Sequence, residues 1–258
     1  MQIPTVREIY DTYLQHLNEQ KVLQRYQDRS WFHSSTAGLC TRKHFFASVM
    51  EIEGASIDED TRRLFRLGDI VHEDIQQAVR WWAESNAVPI FIEKELYLED
   101  LNVRGFIDLA FVYGDTLHDI KTCNSFKWRM MFGKKEDKSP SINYQLQLAT
   151  YGLWYEREYG SLQDMTLIFY NKDNSKIREV GVPIEMIETA REYWENVNNM
   201  IFKNGTGTHP NPYPNSKHTW IPEISLGTAP VYAWECNPKY CQYYDMCGGG
   251  IKGEKNEK

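Results

Sequence analysis

Two apolar, strand-like segments in the middle of the chain each carry charged residues. Residues 103–113 contain Asp108, and residues 116–122 contain Asp119 and Lys121. A Gly-Asp pair between the segments suits a tight turn, so the two are predicted to form a β-hairpin. Because side chains alternate along a strand, Asp119 and Lys121 share a face. The hairpin would bring two carboxylates together, with an ammonium group beside them.

Two neighbouring carboxylates repel each other unless a cation neutralises them. Hard cations with oxygen ligands, Mg²⁺ or Mn²⁺, fit such a pair, and the carbonyl of Ile120 could add a further oxygen. Lys121 could stabilise the transition state of phosphodiester hydrolysis or orient the attacking water. A neutral His72, on the preceding helix, could complete the coordination. Gly105 is expected to let a ligand backbone approach the strand.

Each of these pieces alone has an ordinary explanation. An Asp-x-Lys pair is usually a surface ion pair, and a lone histidine in a helix is usually a packing residue. Four pieces in one order are harder to attribute to chance, and they are Gly68-Asp69-Ile70-Val71-His72, Gly105-Phe106-Ile107-Asp108, Asp119-Ile120-Lys121 and Gln147-Leu148-Ala149-Thr150-Tyr151.

The order of predicted elements indicates an α/β fold. Helical periodicity is present before and after the hairpin, at residues 5–29, 41–50, 60–87, 144–159 and 184–203. Further strand patterns cover residues 91–98, 165–171 and 177–182. Residues 124–142 are predicted to form a basic loop. This order differs from the regular alternation of a doubly wound sheet.

Composition indicates a packed protein without a membrane span. The chain has 258 residues, of which 41% are hydrophobic, and no apolar run is long enough to cross a bilayer. The N-terminus lacks the apolar region of a signal peptide, so a cytoplasmic location is expected.

The formal net charge of −7 counts modestly against a nucleic-acid function. Local basic patches can nevertheless steer a polyanion. Arg66, together with two further arginines, precedes the His72 motif, while Lys127 and Arg129 lie among aromatic residues. Cations with aromatic rings suit a single strand, through phosphate contacts and base stacking. The alternative for the second patch is a solvated loop with a few core aromatics.

Four cysteines are candidate ligands for a second metal site. Cys236, Cys241 and Cys247 cluster near the C-terminus, and Cys40 lies far upstream. Four thiolates could bind zinc or an iron–sulfur cluster, and spacing alone does not choose between them. Unrelated buried thiols are the alternative. Cys123 is expected to be a small core residue.

In their order, the four motifs resemble the PD-(D/E)XK nuclease superfamily. They look most like its RecB-like branch, which includes the CRISPR-associated iron–sulfur exonucleases and related phage nucleases. The resemblance covers residues 38–248 and implies a restriction-endonuclease-like core, with a mixed central sheet flanked by helices. The proline that names the superfamily is absent, since Ile107 precedes Asp108; this branch often lacks it.

The resemblance also assigns roles to residues. It implies that the metal is held by His72, Asp108, Asp119 and the Ile120 carbonyl, with Lys121 as the catalytic lysine. Gln147 and Tyr151 would contact the substrate or brace the site, one helical turn apart. Substrate-binding residues are therefore expected to be Gln147, Tyr151, Arg66, Lys127 and Arg129.

A four-iron four-sulfur cluster, [4Fe–4S], is a further implication of the resemblance. Cys40, Cys236, Cys241 and Cys247 would hold it as a structural staple between the two ends of the chain, with zinc as the alternative. The family commonly separates the first two C-terminal cysteines by two residues, whereas four separate them here. The expected organisation is one nuclease domain, residues 1–258, with a helical part at 1–58, a core at 59–203 and a cysteine segment at 204–258.

The leading functional hypothesis is a Mg²⁺- or Mn²⁺-dependent deoxyribonuclease. It would be an exonuclease acting on single-stranded or end-resected DNA in recombination, repair or replication. A second hypothesis is a catalytically inactive nucleic-acid-binding subunit beside a helicase or recombinase. A third is a zinc-stapled protein of unrelated function. The sequence does not indicate an oligomeric state.

Overall fold

A mixed six-stranded sheet forms the centre of the protein in a computed structural model that describes residues 3–26, 31–49, 54–133, 140–199, 201 and 241–244. The strands are β1 (Phe32–His33), β2 (Ile90–Leu98), β3 (Val103–Phe111), β4 (Thr116–Cys123), β5 (Asp164–Asn171) and β6 (Ile177–Val182). Their order is β1-β3-β4-β5-β6, and β2 also pairs with β3. The expected mixed central sheet flanked by helices is confirmed.

Strand β3 forms the predicted hairpin with β4, but the two strands pair over a short distance. Antiparallel pairing joins residues 109–111 to residues 116–118 and goes no further toward Asp108. Beyond that point β4 pairs in parallel with β5 along its full length, while β3 stays paired with β2. The sheet therefore opens between β3 and β4 at Asp108, where a site can form.

The helices lie around this sheet. They are α1 (Val6–Tyr26), α2 (Thr41–His44), α3 (Glu59–Asn86), α4 (Ser125–Phe132), α5 (Ile142–Tyr159) and α6 (Met186–Asn198). A π-helical turn, Phe45–Val49, continues α2. No described helix combines the length and hydropathy that a bilayer crossing requires.

Helix α4 corrects the prediction of a basic loop over residues 124–142. The side chain of Asn124 accepts a hydrogen bond from the backbone N–H of Lys127 at 2.8 Å, which caps the start of the helix. Met131 is buried, and the neighbouring Phe132 ring lies 5.1 Å from that of Phe169 on β5. Packing of these apolar side chains on the sheet stabilises a helix that its basic composition concealed.

Helix α5 is the most buried of the described helices, because it packs between the sheet and α6. It lies in the connection between the parallel strands β4 and β5. All its residues from 146 to 155 are buried. The indole of Trp194 on α6 donates a hydrogen bond to the Thr150 hydroxyl at 2.9 Å. A buried donor and acceptor thus satisfy each other at the helix–helix contact, which fixes how α5 presents its polar side chains to the sheet.

The short described segment 241–244 lies against the N-terminal part of the chain. The Tyr243 ring is buried 5.4 Å from the ring of Phe46, and the backbone N–H of Ala55 donates to the Gln242 carbonyl at 2.9 Å. Cys236, Cys247 and most of the predicted segment 204–258 lie outside the described residues.

Candidate active site

The two aspartates of the motifs meet where β3 and β4 separate. Asp108 Oδ2 accepts a hydrogen bond from the backbone N–H of Ile120 at 2.8 Å, so this side chain replaces a strand-to-strand contact that the backbone no longer makes. Asp119, the next residue back along β4, has a side chain that is 0% exposed. Two carboxylates are therefore held on rigid strands in the middle of the sheet.

Lys121 lies between the acids and α5. Its Nζ is 2.7 Å from Asp119 Oδ2 and donates a hydrogen bond to Gln147 Oε1 at 2.8 Å. The ring of Tyr144 lies beneath the same ammonium, 5.3 Å from its centroid. The lysine is thus fixed by a carboxylate, an amide and an aromatic face.

Gln147 and Tyr151 form the second half of this network. The Gln147 side-chain amide donates to the Tyr151 hydroxyl at 2.6 Å, while its carbonyl oxygen accepts from Lys121. Both side chains border the groove described below but are almost wholly buried. Of the two roles that the sequence suggested, the contacts favour bracing of Lys121 over direct contact with a substrate.

Packing alone requires a glycine at position 105. A Cβ atom at this position would lie 2.3 Å from Ser34 Oγ and 3.1 Å from Tyr151 Cε1. Ser34 occupies the space that a side chain at position 105 would fill, while Gly105 also lines the groove described below, so the approach of a ligand backbone stays a prediction. The glycine lets the segment after β1 lie close to the tyrosine of the site.

Helix α3 covers the other side of Asp108. His72 Nδ1 is 3.5 Å from Asp108 Oδ2, a distance too long for a good hydrogen bond. The Gln76 side-chain amide donates to the Asp108 backbone oxygen at 3.1 Å and to Glu93 Oε1 at 2.6 Å. One glutamine therefore ties α3 to both β2 and β3 at the site.

Glu93 is an acidic residue of the site that sequence reasoning missed. It lies opposite Asp108, because the β2–β3 register pairs Ile92 with Leu109 and Lys94 with Ile107. Its φ of +51° is in the left-handed region, which a non-glycine residue rarely adopts in a strand. Alternation along β2 puts Glu93 and Glu95 on the same face, so the sequence alone does not distinguish them. Only the register of β2 against β3 shows that Glu93 is the one opposite Asp108.

Glu95, two residues further along β2, has partners outside the site. It accepts a hydrogen bond from Arg104 Nε at 2.6 Å and from the Tyr97 hydroxyl at 2.7 Å. These bonds lower the pKa of its carboxyl group, with the tyrosine hydroxyl as the largest cause. Glu95 therefore serves the β2–β3 surface and not the pair of aspartates.

The electrostatics of the pair depend on burial. Burial raises the pKa of Asp119 to about 7, although Lys121 opposes the shift. Burial likewise raises the pKa of Asp108 to about 6. Burial alone would lower the pKa of Lys121, but the two carboxylates outweigh it and the pKa rises. Burial, followed by the nearby Lys121, lowers the pKa of His72, which favours its neutral form.

The residues fit a hard divalent cation in part. Asp119 Oδ1 is buried and accepts no hydrogen bond from any residue that the structure describes, so an oxygen acceptor is left unsatisfied. Within the described ranges, however, no three His, Cys, Asp or Glu side chains converge on one point. The expected set of His72, Asp108 and Asp119 does not converge: His72 Nδ1 lies 3.5 Å from Asp108 Oδ2, while Asp119 Oδ2 pairs with Lys121 Nζ at 2.7 Å. Mg²⁺ needs only one or two carboxylates, with water and substrate oxygens for the rest.

A groove with a volume of about 1030 Å³ leads to Asp108. Helices α1 and α3 form one wall, and β3 with the start of α5 forms the other. Its lining includes Asp108, His72 and Arg66 among the residues predicted for the site. Lys127, on α4, instead donates a hydrogen bond to the Tyr144 hydroxyl on α5. Arg129 is exposed on α4 and does not line the groove. Arg66 is therefore the predicted cation that the fold brings to the groove.

The cysteines fall into two groups. Cys123, at the end of β4, is buried in the core as expected. Cys40 directly precedes α2, and Cys241 begins the segment that lies against Phe46 and Ala55. The fold thus brings the chain around these two cysteines to the same side of the molecule. Cys236 and Cys247 are outside the described residues.

Comparison with known proteins gives structural neighbours only. No protein-family model and no curated protein matches the sequence. The crystal structure of SSO0001 is similar with a TM-score of 0.54 at 15% identity, covering 94% of this chain and 98% of that one. A candidate exonuclease from Eubacterium rectale gives a TM-score of 0.46 at 10% identity, over 67% of this chain and 82% of its own. An alkaline exonuclease from Laribacter hongkongensis gives 0.43 at 10%, over 67% and 90%. The chain therefore shares its fold with the SSO0001 structure.

Proposed function

We propose that this protein is a divalent-metal-dependent nuclease that hydrolyses phosphodiester bonds of DNA. The observation that carries the proposal is the buried Asp119–Lys121 ion pair, with one carboxylate oxygen unsatisfied, beside an Asp108 that lines the groove. A purely structural ion pair leaves no reason for a second buried carboxylate at the same point, since burying it costs free energy.

The two carboxylates would hold the cation, with the Ile120 carbonyl and neutral His72 as further ligands. When bound, the ion supplies Lewis acidity to the phosphate and lowers the pKa of a coordinated water. With Asp119 engaged in holding the ion, the ammonium of Lys121 would be free to donate toward a phosphate oxygen or the attacking water. Gln147 and Tyr151 keep Lys121 Nζ directed at the site during that exchange.

Exonucleolytic action on single-stranded or end-resected DNA is the finer part of the proposal. It rests on the order of the four motifs, and so does a role in recombination, repair or replication. The acidic net charge is compatible with it, because the groove has its own cation in Arg66.

The decisive assay uses DNA labelled at either end, single- and double-stranded, with Mg²⁺, Mn²⁺ or EDTA. Lys121→Ala and Asp119→Ala are run beside Asp74→Asn, an exposed control on α3. We expect metal-dependent cleavage that Asp119→Ala abolishes, that Lys121→Ala slows roughly 10²- to 10³-fold, and that the control retains. The label pattern gives the polarity. Cleavage that survives both substitutions would refute the proposed site, while binding without any cleavage would favour the subunit hypothesis.

The iron–sulfur cluster is proposed separately, on Cys40, Cys236, Cys241 and Cys247. Support comes from the position of Cys241, since its segment lies against the residues that follow Cys40. Iron and acid-labile sulfide measured on anaerobically purified protein should reach four of each per chain and fall on Cys40→Ser. Zinc in place of iron and sulfide would establish the zinc staple instead. If the purified protein contains neither iron nor zinc, the proposed metal staple is refuted.

A further inference from the structure

One side chain of β3 does not follow the burial of its strand. Phe106 is 39% exposed, whereas every other residue of β3 is buried or, at the end of the strand, half-buried. A large aromatic ring exposed in the middle of a central strand gives up the burial that would stabilise it. Its position therefore calls for a reason outside the packing of the fold.

Phe106 is on the same face of β3 as Asp108, because the two are two residues apart. A strand rises about 3.3 Å per residue, which places their backbones roughly 7 Å from each other. Both residues line the groove. The exposed ring thus lines the same cavity as Asp108, within one side chain's length of that carboxylate.

The Phe106 ring packs against an arginine whose charge is neutralised by a glutamate. The Arg104 guanidinium lies 5.2 Å from the Phe106 centroid and 5.7 Å from that of Tyr97. Glu95 accepts a hydrogen bond from Arg104 Nε at 2.6 Å and approaches Nη2 at 2.5 Å. Arg104 is almost wholly buried and its charge is neutralised by Glu95, so it is a poor ligand for a phosphate. Its contact with the Phe106 ring instead fixes the orientation of that ring.

We propose that Phe106 is the stacking platform for an unpaired base next to the phosphate that the site cleaves. The proposal rests on the nuclease function above and adds the residue that would hold an unpaired strand in the groove. Every base has a π-face, so such a platform binds without sequence preference. In a duplex, both faces of an internal base are already covered by its neighbours, so an internal base must leave the stack to reach Phe106.

The experiment measures the affinity of an oligothymidylate and of an abasic strand with the same number of phosphates. Fluorescence anisotropy in EDTA keeps both strands intact. Phe106→Leu keeps an apolar side chain over Arg104 but removes the π-face, while Phe106→Trp restores one. Trp81→Leu is the matched control, because Trp81 is 71% exposed on α3 and does not line the groove.

We expect Phe106→Leu to bind oligothymidylate roughly 5- to 150-fold more weakly, the loss of one base–aromatic contact. It should bind the abasic strand as the parent does, and Phe106→Trp and Trp81→Leu should bind both strands normally. Equal affinity of Phe106→Leu and parent for oligothymidylate would overturn the platform, and so would an equal loss on both strands. Cleavage by the parent tests the nuclease proposal independently, so either proposal can fail while the other stands.

Discussion

Replacing Asp119 with asparagine should stabilise the cation-free protein above pH 7, although Asp119 is the acid most deeply placed in the site. Its side chain has no exposure, and Oδ1 accepts no hydrogen bond within the described part of the chain. The folded state therefore holds a carboxylate away from water, with Lys121 as its nearest compensation. Asparagine keeps the shape and removes the charge.

The sign follows from the pKa. Burial raises the pKa of Asp119 from 3.8 to about 7, so the folded state binds the proton more tightly than the unfolded chain does. The group's contribution to stability is greatest below pH 3.8 and is lost as pH rises to 7. At 1.36 kcal/mol per pH unit this amounts to about 4 kcal/mol above pH 7. That pKa already includes the opposing charge of Lys121, and the substitution leaves the ammonium with Asp108 as its remaining carboxylate, so we expect a gain below about 4 kcal/mol and a higher Tm.

The assay is thermal and urea denaturation in EDTA at pH 5, 6, 7 and 8, for the parent, Asp119→Asn and the exposed control Asp74→Asn. The advantage of Asp119→Asn should grow from pH 5 to pH 8, whereas the control should follow the parent. Mg²⁺ should raise the Tm of the parent, more at pH 8 than at pH 5 because protons compete for the carboxylates. It should leave Asp119→Asn nearly unchanged.

A lower Tm for Asp119→Asn than for the parent at pH 8 in EDTA would refute the reasoning. It would mean that the ion pair with Lys121 stabilises the fold by more than burial of the carboxylate costs. A constant difference across the pH range would refute it too, since the effect would then not depend on the proton.

Three further predictions concern the network, its packing and a histidine outside it. Lys121→Ala should lower the single-turnover rate constant of cleavage roughly 10²- to 10³-fold, because a hydrogen-bond donor to the reacting groups is lost. Mg²⁺ should still raise the Tm of this variant, because the carboxylates remain. An unchanged rate constant would exclude the lysine from catalysis. Gly105→Ala should lower the free energy of unfolding in urea by about 1–3 kcal/mol, since the new Cβ would lie 2.3 Å from Ser34 Oγ. Adding Ser34→Gly to that variant should restore most of the loss. If it does not, the contact with Ser34 is not the cause. Burial lowers the pKa of His44 to about 3, so the folded state resists protonation and about 2 kcal/mol of stability is lost between pH 6.5 and pH 5. His44→Gln should flatten that slope, and an unchanged slope would place its origin elsewhere.

The sequence predicted the part of the site that depends on periodicity along one strand. Asp119 and Lys121 share a face because they are two residues apart, and the turn before them follows from a Gly-Asp pair. Glu93 and Glu95 obey the same alternation equally well. Only the pairing of β2 with β3 places Glu93 opposite Asp108, and no property of the isolated strand determines that register.

Tertiary contacts decide the other differences. The helix α4 was predicted as a loop because its basic and aromatic residues lack a clear apolar stripe, although Asn124 was an available cap signal. The packing role of Gly105 was missed because the sequence cannot show that Ser34 approaches it from a distant segment. Such contacts between remote parts of a chain carry no local signature.

The parallel pairing of β4 with β5 also sets the moment in folding at which chemistry becomes accessible. Chain synthesis must pass α4 and α5 before β5 can pair with β4, and Gln147 reaches Lys121 only when α5 has docked. Long-range parallel pairing forms late compared with local hairpins and helices. Until then both aspartates and the lysine are in water, with ordinary pKa values and no fixed geometry. A nascent or partly unfolded chain would therefore lack the geometry that the proposed hydrolysis requires.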